Sequence, residues 1–171
     1  MKSFSVTIPC KSYIKKYYTS VYGPVIPLNH RSDFGDTILT KMANPSLSKR
    51  SKSGLNLEFQ EYKEQLKFQL PVDLFYRIES ELNQQQIYNI NRFLENVFET
   101  DIFITVRVAS FFGVQRNSCI RAIAEACNII LDEDISFEAI KKQEGRYRKT
   151  PTAGNYFLLH MSSPYKWKLR A

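Results

Sequence analysis

A chain of 171 residues with 43% hydrophobic and 13% aromatic residues is long enough to bury a core and too apolar to be disordered. No stretch approaches the roughly 18 consecutive apolar residues of a membrane helix, and no signal-peptide pattern is present, so we expect a cytoplasmic protein without membrane insertion. The formal net charge of +7 is concentrated in residues 141–171, which contain eight basic residues and one acidic residue. This asymmetry is typical of a protein with an acidic partner, such as nucleic acid or a membrane surface. It is equally typical of a solvated tail.

Two short segments in the first half of the chain show the alternation of a half-buried strand. In residues 4–8 and again in residues 66–70, apolar side chains alternate with polar ones, which places the apolar set on one face of a sheet. A proline follows each segment. Because proline has no N–H to donate to a neighbouring strand, Pro9 and Pro71 are expected to end the two strands.

Helical periodicity dominates the rest of the first hundred residues. Apolar side chains at helical spacing predict helices over 13–21, from about Asp36, over 74–82 and over 84–97. The stretch 44–56 is rich in Ser and Lys and has almost no apolar content, so it predicts a mobile loop. The fold class that follows is α+β and predominantly helical, with a small β-ribbon.

Residues 102–130 are predicted to form two further helices separated by a turn. Apolar residues recur at helical spacing over 102–109, although the β-branched run 104–108 also suits a strand. The second helix is expected over 115–129. A third helix is expected from residue 132, because acidic residues near its start and basic ones near its end match the helix dipole.

The domain organisation follows from these elements. We expect residues 1–147 to form a single α+β domain and residues 148–171 to form a basic, aromatic C-terminal segment. Basic residues interleaved with aromatic ones suit phosphate neutralisation and stacking on bases. They suit docking on a protein or a lipid surface equally well.

Catalytic and metal-binding motifs are absent from the sequence. The three cysteines, Cys10, Cys119 and Cys127, have no CxxC spacing, which favours buried reduced thiols over a disulfide framework or a zinc site. A histidine and two aspartates lie close together in residues 30–36, where turn chemistry explains them better than a metal site does. The sequence also lacks the HExxH, GxSxG and glycine-rich phosphate-binding motifs. We therefore expect no catalytic residue, no metal, no cofactor and no enzymatic activity.

The stretch VRVASFFGVQRNSCIRAIAEA, residues 106–126, has the spacing of a helix-turn-helix. Ala109 is the small residue required where two helices cross, and Gly113 suits a turn that needs positive φ. The expected apolar anchors of the second helix are Cys119, Ala122 and Ile123. This stretch resembles the helix-turn-helix of bacterial regulators of the GntR-like winged-helix group, although Ile120 stands where those proteins usually have a polar residue.

The resemblance implies a recognition helix whose exposed N-terminal end reads base edges in the major groove. The residues in that position are Gln115, Arg116, Asn117, Ser118 and Arg121. Arginine pairs with guanine, the amide side chains with adenine, and serine with a phosphate or a base edge. The basic residues expected to neutralise phosphates are Lys141, Lys142, Arg146, Arg148 and Lys149. An alternative is that Asn117 or Ser118 only caps a core helix.

A second stretch, LKFQLPVDLFYRIESEL at residues 66–82, resembles the opening of ribbon-helix-helix repressors. Those proteins pair strands across a dimer and place the outward side chains in the major groove. Lys67 and Gln69 would be those side chains. The other interpretation is a core ribbon in which residues 66–70 pair with residues 4–8 of the same chain.

We therefore expect double-stranded DNA as the partner of a transcriptional regulator or accessory factor, with a homodimer as an open possibility. The alternative is a protein–protein interaction or structural module whose helices within 102–130 are all core. Exposure of Gln115, Arg116 and Arg121 beside residues 141–149 favours DNA binding. Burial of Ile120 and Arg121 favours the alternative.

Overall fold

The computed structural model describes residues 4–43, 59–70 and 82–148. Its elements are β1 (Phe4–Cys10), α1 (Ser12–Tyr22), β2 (Ile26–Pro27), α2 (Asp33–Ala43), β3 (Glu64–Leu70), α3 (Gln84–Phe111), α4 (Arg116–Ala126) and α5 (Phe137–Arg148). This is a predominantly helical α+β fold, as the sequence predicts. The loop predicted at 44–56, the helix predicted from residue 74, and Lys149 with the rest of the C-terminal segment lie outside the described residues.

In the described part of the chain, the strands form one sheet in the order β1-β3-β2. β1 runs antiparallel to β3, with Phe4 opposite Leu70, and β2 runs parallel to β3 along the other edge. Alternate residues of β3 are buried, and Lys67 and Gln69 between them are exposed. The predicted pairing of residues 4–8 with 66–70 within one chain is confirmed.

β1 continues through Pro9 to Cys10, so the expectation that Pro9 ends this strand is wrong. β1 lies at the edge of the described sheet, where a proline is tolerated because its missing N–H needs no partner strand. The carbonyl oxygen of Pro9 accepts a hydrogen bond from Asn91 Nδ2 at 2.9 Å. The end of β1 is thereby attached to α3.

α3 is one continuous helix of 28 residues, which makes it about 42 Å long. It starts with a capping box: Asn83 Oδ1 accepts from the Gln86 N–H at 2.9 Å, and Gln86 Oε1 accepts from the Asn83 N–H at 2.8 Å. The β-branched run 104–108 stays helical, because Ile102 and Val106 one turn apart are both buried. Neither α3 nor any other helix within the described ranges is long and apolar enough to cross a membrane.

Aromatic side chains join α1 and α2 to α3. Tyr18 and Tyr22 of α1 stack with Phe34 of α2, at centroid distances of 5.6 and 5.3 Å. The Tyr18 hydroxyl donates to the carbonyl oxygen of Leu94 at 3.0 Å, and the Tyr17 hydroxyl donates to the Asp101 carboxylate. These contacts orient α3, whose C-terminal end carries the turn into α4.

The loop between α4 and α5 is attached to α1 through Asp134. Its Oδ1 accepts from Ser12 Oγ at 2.6 Å, and its Oδ2 accepts from Lys16 Nζ at 2.5 Å and from the Ile130 N–H at 2.7 Å. Burial alone would raise the pKa of Asp134, but these donors outweigh it and the pKa is lowered. The far end of α4 is therefore linked to the first helix of the chain.

α5 begins at Phe137, so the expectation of a helix from residue 132 is wrong. Asn128 and Asp132 have φ angles of 54° and 70°, which are incompatible with a right-handed helix. The Asp132 carboxylate instead accepts from the Phe137 N–H at 2.9 Å, at the start of α5. The three acidic residues thus lie before the helix, and one of them, Asp132, satisfies its first N–H group from outside.

Candidate nucleic-acid interface

The turn between α3 and α4 is centred on Gly113. The Gly113 N–H donates to the Ser110 carbonyl at 3.1 Å, and the Val114 N–H donates to the Ala109 carbonyl at 3.1 Å. Together these bonds form a Schellman motif, which ends α3 and requires a left-handed residue at the glycine position. Gly113 has φ of +77°, so the turn predicted there is confirmed. Ala109 packs against the core beside it.

α4 is buried on one side only. Its inward side consists of Cys119, Ile120 and Ala124, which are at most 6% exposed. The opposite side, here called the α4 outer face, consists of Asn117, Ser118, Arg121, Ala122 and Glu125, all of them exposed. The outer face therefore combines amide, hydroxyl and guanidinium groups with one carboxylate.

The extent and orientation of α4 differ in part from the prediction. The helix covers Arg116–Ala126 rather than 115–129, with Gln115 at the N-cap. Asn117 and Ser118 lie inside the first turn, so the interpretation of either as the cap is wrong. The expected anchor Cys119 is buried, but Ala122 is exposed and Ile120 is buried in its place. The buried stripe is rotated because Ile120, the larger apolar side chain, takes the position facing the core.

The sequence predicts that Arg116 lies free at the surface, but it is paired within the protein. Its Nε contacts the carboxylate of Glu144, and its terminal nitrogen donates to the carbonyl oxygen of Lys141. The Glu144 side chain is 3% exposed and also accepts from Arg148 at 2.9 Å. Arg116 therefore fastens the first turn of α4 to α5, and its guanidinium faces the protein rather than a ligand.

Arg121 is exposed and lies beside the start of α5. Its guanidinium carbon is 4.6 Å from the centroid of the Phe137 ring, and Lys141 Nζ is 5.4 Å from the same centroid. Lys141 also contacts Glu138 Oε1 at 2.7 Å. The structure thus brings together one basic residue of the α4 outer face and one of α5 around a single aromatic ring.

The other basic residues predicted on α5 remain at the surface. Lys142, Arg146 and Arg148 are exposed, and Arg148 pairs with Glu144 on its own helix. The described residues from 141 onward contain four basic side chains and one buried carboxylate. The predicted convergence of Arg121 with this segment is therefore present at Lys141, while the guanidinium of Arg116 pairs with the buried Glu144 of the same segment.

Sequence reasoning missed the exposed aromatic residues at the turn. Phe111 is 75% exposed and Phe112 is 82% exposed, and Val114 beyond the glycine is 44% exposed. A phenylalanine is expected in a core, so no periodic pattern marks these two. The signal that could have found them is their position directly before a turn glycine, where a helix ends and its buried face ends with it.

The remaining candidate sites behave as structural features. All three cysteines are buried and unpaired, and burial raises the pKa of the Cys10 thiol to about 12. In the turn before α2, His30 Nδ1 lies 2.6 Å from Asp36 Oδ1, and the Ser32 hydroxyl accepts from the Gly35 N–H at 3.1 Å. Within the described ranges, no group of three or more His, Cys, Asp or Glu side chains could hold a metal ion.

Comparisons with family models, with curated proteins and with solved structures find no match for this chain.

Proposed function

We propose that this chain binds double-stranded DNA through the α4 outer face, as a transcriptional regulator or accessory factor in the cytoplasm. The observation that carries the proposal is the one-sided burial of α4 directly after the turn at Gly113. It leaves Asn117, Ser118 and Arg121 together on an exposed helix surface. A helix held in this way fits the major groove, whose base edges pair with amide and guanidinium groups.

The residues divide into three roles under this proposal. Gln115, Asn117, Ser118 and Arg121 contact base edges or the adjoining phosphates. Arg116 positions α4 against α5 through Glu144 and contacts no base. The exposed basic residues of α5, Arg148 among them, neutralise phosphates. The later basic residues of the C-terminal segment, which contains no acidic residue, add to them: Lys149, Lys166, Lys168 and Arg170.

The alternative is a protein–protein interaction or structural module in which the helices within 102–130 are buried as core. The burial of Ile120 fits that alternative. The exposed α4 outer face favours a binding surface instead, because Asn117, Ser118 and Arg121 keep their polar groups at the protein surface. A homodimer is compatible both with α4 as a DNA-binding surface and with α4 as part of the core.

The direct test is a salt titration of binding to a fluorescently labelled duplex of random sequence, followed by anisotropy. If about five phosphates are neutralised, the affinity falls about 500-fold between roughly 50 and 200 mM salt. Absence of binding at the low-salt end would exclude the proposal.

Matched substitutions then locate the interface. A preferred duplex sequence is first selected from the random pool by repeated rounds of binding. Arg121→Ala and Asn117→Ala are each expected to weaken binding to that sequence by about tenfold. Arg31→Ala and Asn96→Ala remove the same groups from exposed positions outside α4 and should leave the affinity unchanged. If all four variants bind alike, DNA binding does not proceed through α4.

A further inference from the structure

We propose that Phe111 and Phe112 stack on nucleobases of the bound nucleic acid, an inference that rests on the proposed function. These two residues, here called the phenylalanine pair, occupy the last turn of α3 and the start of the turn into α4. The pair would supply aromatic contacts beside the polar readers of α4.

Both rings of the phenylalanine pair are exposed to solvent. Soluble proteins seldom leave two adjacent phenylalanines 75% and 82% exposed unless a partner covers them. The space around the turn is open, because a Cβ placed on Gly113 would meet no atom within 4 Å. Because both rings are themselves largely exposed, a flat ligand has access to them.

The chain on both sides of the phenylalanine pair is positively charged. Residues 102–124 contain three arginines and no acidic residue. Arg107 lies one helical turn before Phe111 and so on the same side of α3, and it forms no ion pair with any carboxylate in the described part of the chain. An anionic partner of the phenylalanine pair would therefore meet a positive charge at Arg107.

Nucleobases suit the phenylalanine pair better than a second copy of the chain does. A two-fold dimer centred on the phenylalanine pair would bring each Arg107 towards the same positive surface of the other protomer, which like-charge repulsion disfavours. Nucleic acid instead offers a base that can stack on the phenylalanine rings and, beside it, a phosphate that attracts Arg107. Gln115 and Asn117 follow directly in the chain and match the edges of the bases.

The experiment uses the full chain and two probes, a duplex with a central 2-aminopurine and the same labelled strand alone. Binding of the wild type is expected to change the 2-aminopurine fluorescence, because a ring stacked on or beside that base alters its environment. The duplex and single-strand arms show whether the rings enter a base step or stack on unpaired bases.

The variant Phe111→Ala/Phe112→Ala is expected to lower the affinity by about tenfold or more and to abolish the fluorescence change. Its salt slope should match that of the wild type, because no phosphate contact is removed. Phe112→Trp is expected to retain binding and Phe112→Leu to weaken it, since only the former keeps an aromatic face. Ile130→Ala removes another half-exposed apolar side chain and serves as the control.

Three results would overturn the inference. If the wild type binds neither probe, the proposed function and this inference both fail. If the wild type binds and the double variant binds with the same affinity and signal, only this inference fails. If the wild type is a dimer by light scattering and the double variant is a monomer with unchanged DNA binding, the pair contacts a second copy instead.

Discussion

Replacing Arg116 with methionine is expected to lower the free energy of unfolding by about 3 kcal/mol. The Glu144 side chain is 3% exposed, and its carboxylate contacts Arg116 from α4 and Arg148 from its own helix. Methionine keeps the unbranched stem of the side chain but lacks the guanidinium, and so leaves a buried carboxylate short of one cation. Loss of one partner from a buried pair costs roughly 3–5 kcal/mol. The lower end applies because Arg148 still contacts Glu144.

The comparison with Arg148 makes this prediction specific. The Arg148 side chain is 59% exposed and pairs with Glu144 at i,i+4, so Arg148→Met should cost only about 0.5 kcal/mol. In urea denaturation followed by far-ultraviolet circular dichroism, Arg116→Met should move the midpoint by about 1.5 M for an m-value near 2 kcal/mol/M. Arg116→Met/Glu144→Leu should recover most of the loss, because no buried charge remains unpaired.

The DNA affinity of folded Arg116→Met distinguishes positioning from recognition. A positioning role predicts that the folded fraction binds with little loss, and that Arg116→Met/Glu144→Leu binds like the wild type. A variant of normal stability with strongly reduced DNA affinity would refute the reasoning, since Arg116 would then face the ligand and not Glu144.

Three further predictions concern the turn, the loop and the thiols. Gly113→Ala should cost about 1 kcal/mol in the same denaturation assay, because φ of +77° is strained for alanine although its methyl group meets no atom; an unchanged midpoint would contradict the turn. Asp134→Asn should destabilise the fold at pH 7. The pKa of Asp134 is lowered in the folded state, so the carboxylate stabilises the fold fully above the unfolded pKa of about 3.9, and this stabilisation is lost as pH falls through the folded pKa. The difference in unfolding free energy between wild type and Asp134→Asn should therefore shrink in acid. A difference that grew in acid would contradict this sign. The three buried thiols should react with a disulfide reagent at pH 8 only as fast as the protein unfolds; rapid reaction in the native state would show that they are accessible.

The strands and the turn are the parts of the fold that local sequence predicts well. Alternation over residues 66–70 assigns the faces of β3, because the side-chain period of a strand is two and one face is covered. Gly113 is predictable because the left-handed region excludes most other residues. Both signals depend on immediate neighbours in the chain.

The candidate site depends on contacts that local sequence does not contain. Arg116 and Glu144 are 28 positions apart, and nothing near Arg116 shows that a carboxylate on another helix will bury its guanidinium. The exposure of Phe111 and Phe112 is likewise set by where α3 ends relative to its packing partners. Sequence thus indicates which groups are available, while packing decides which of them reach the surface.

The attachment of α1 to Asp134 has a consequence for synthesis of the chain. Ser12 lies 122 positions before its acceptor, so at roughly 5–20 residues per second the ribosome makes α1 about 6–24 s before Asp134. During the first part of that interval, until residues 84–111 have been made, the buried tyrosines of α1, Tyr13, Tyr17 and Tyr18, have no α3 to pack against. The aromatic face of α1 is therefore made before its packing partners, and its contact with the loop before α5 forms only after Asp134 has been made.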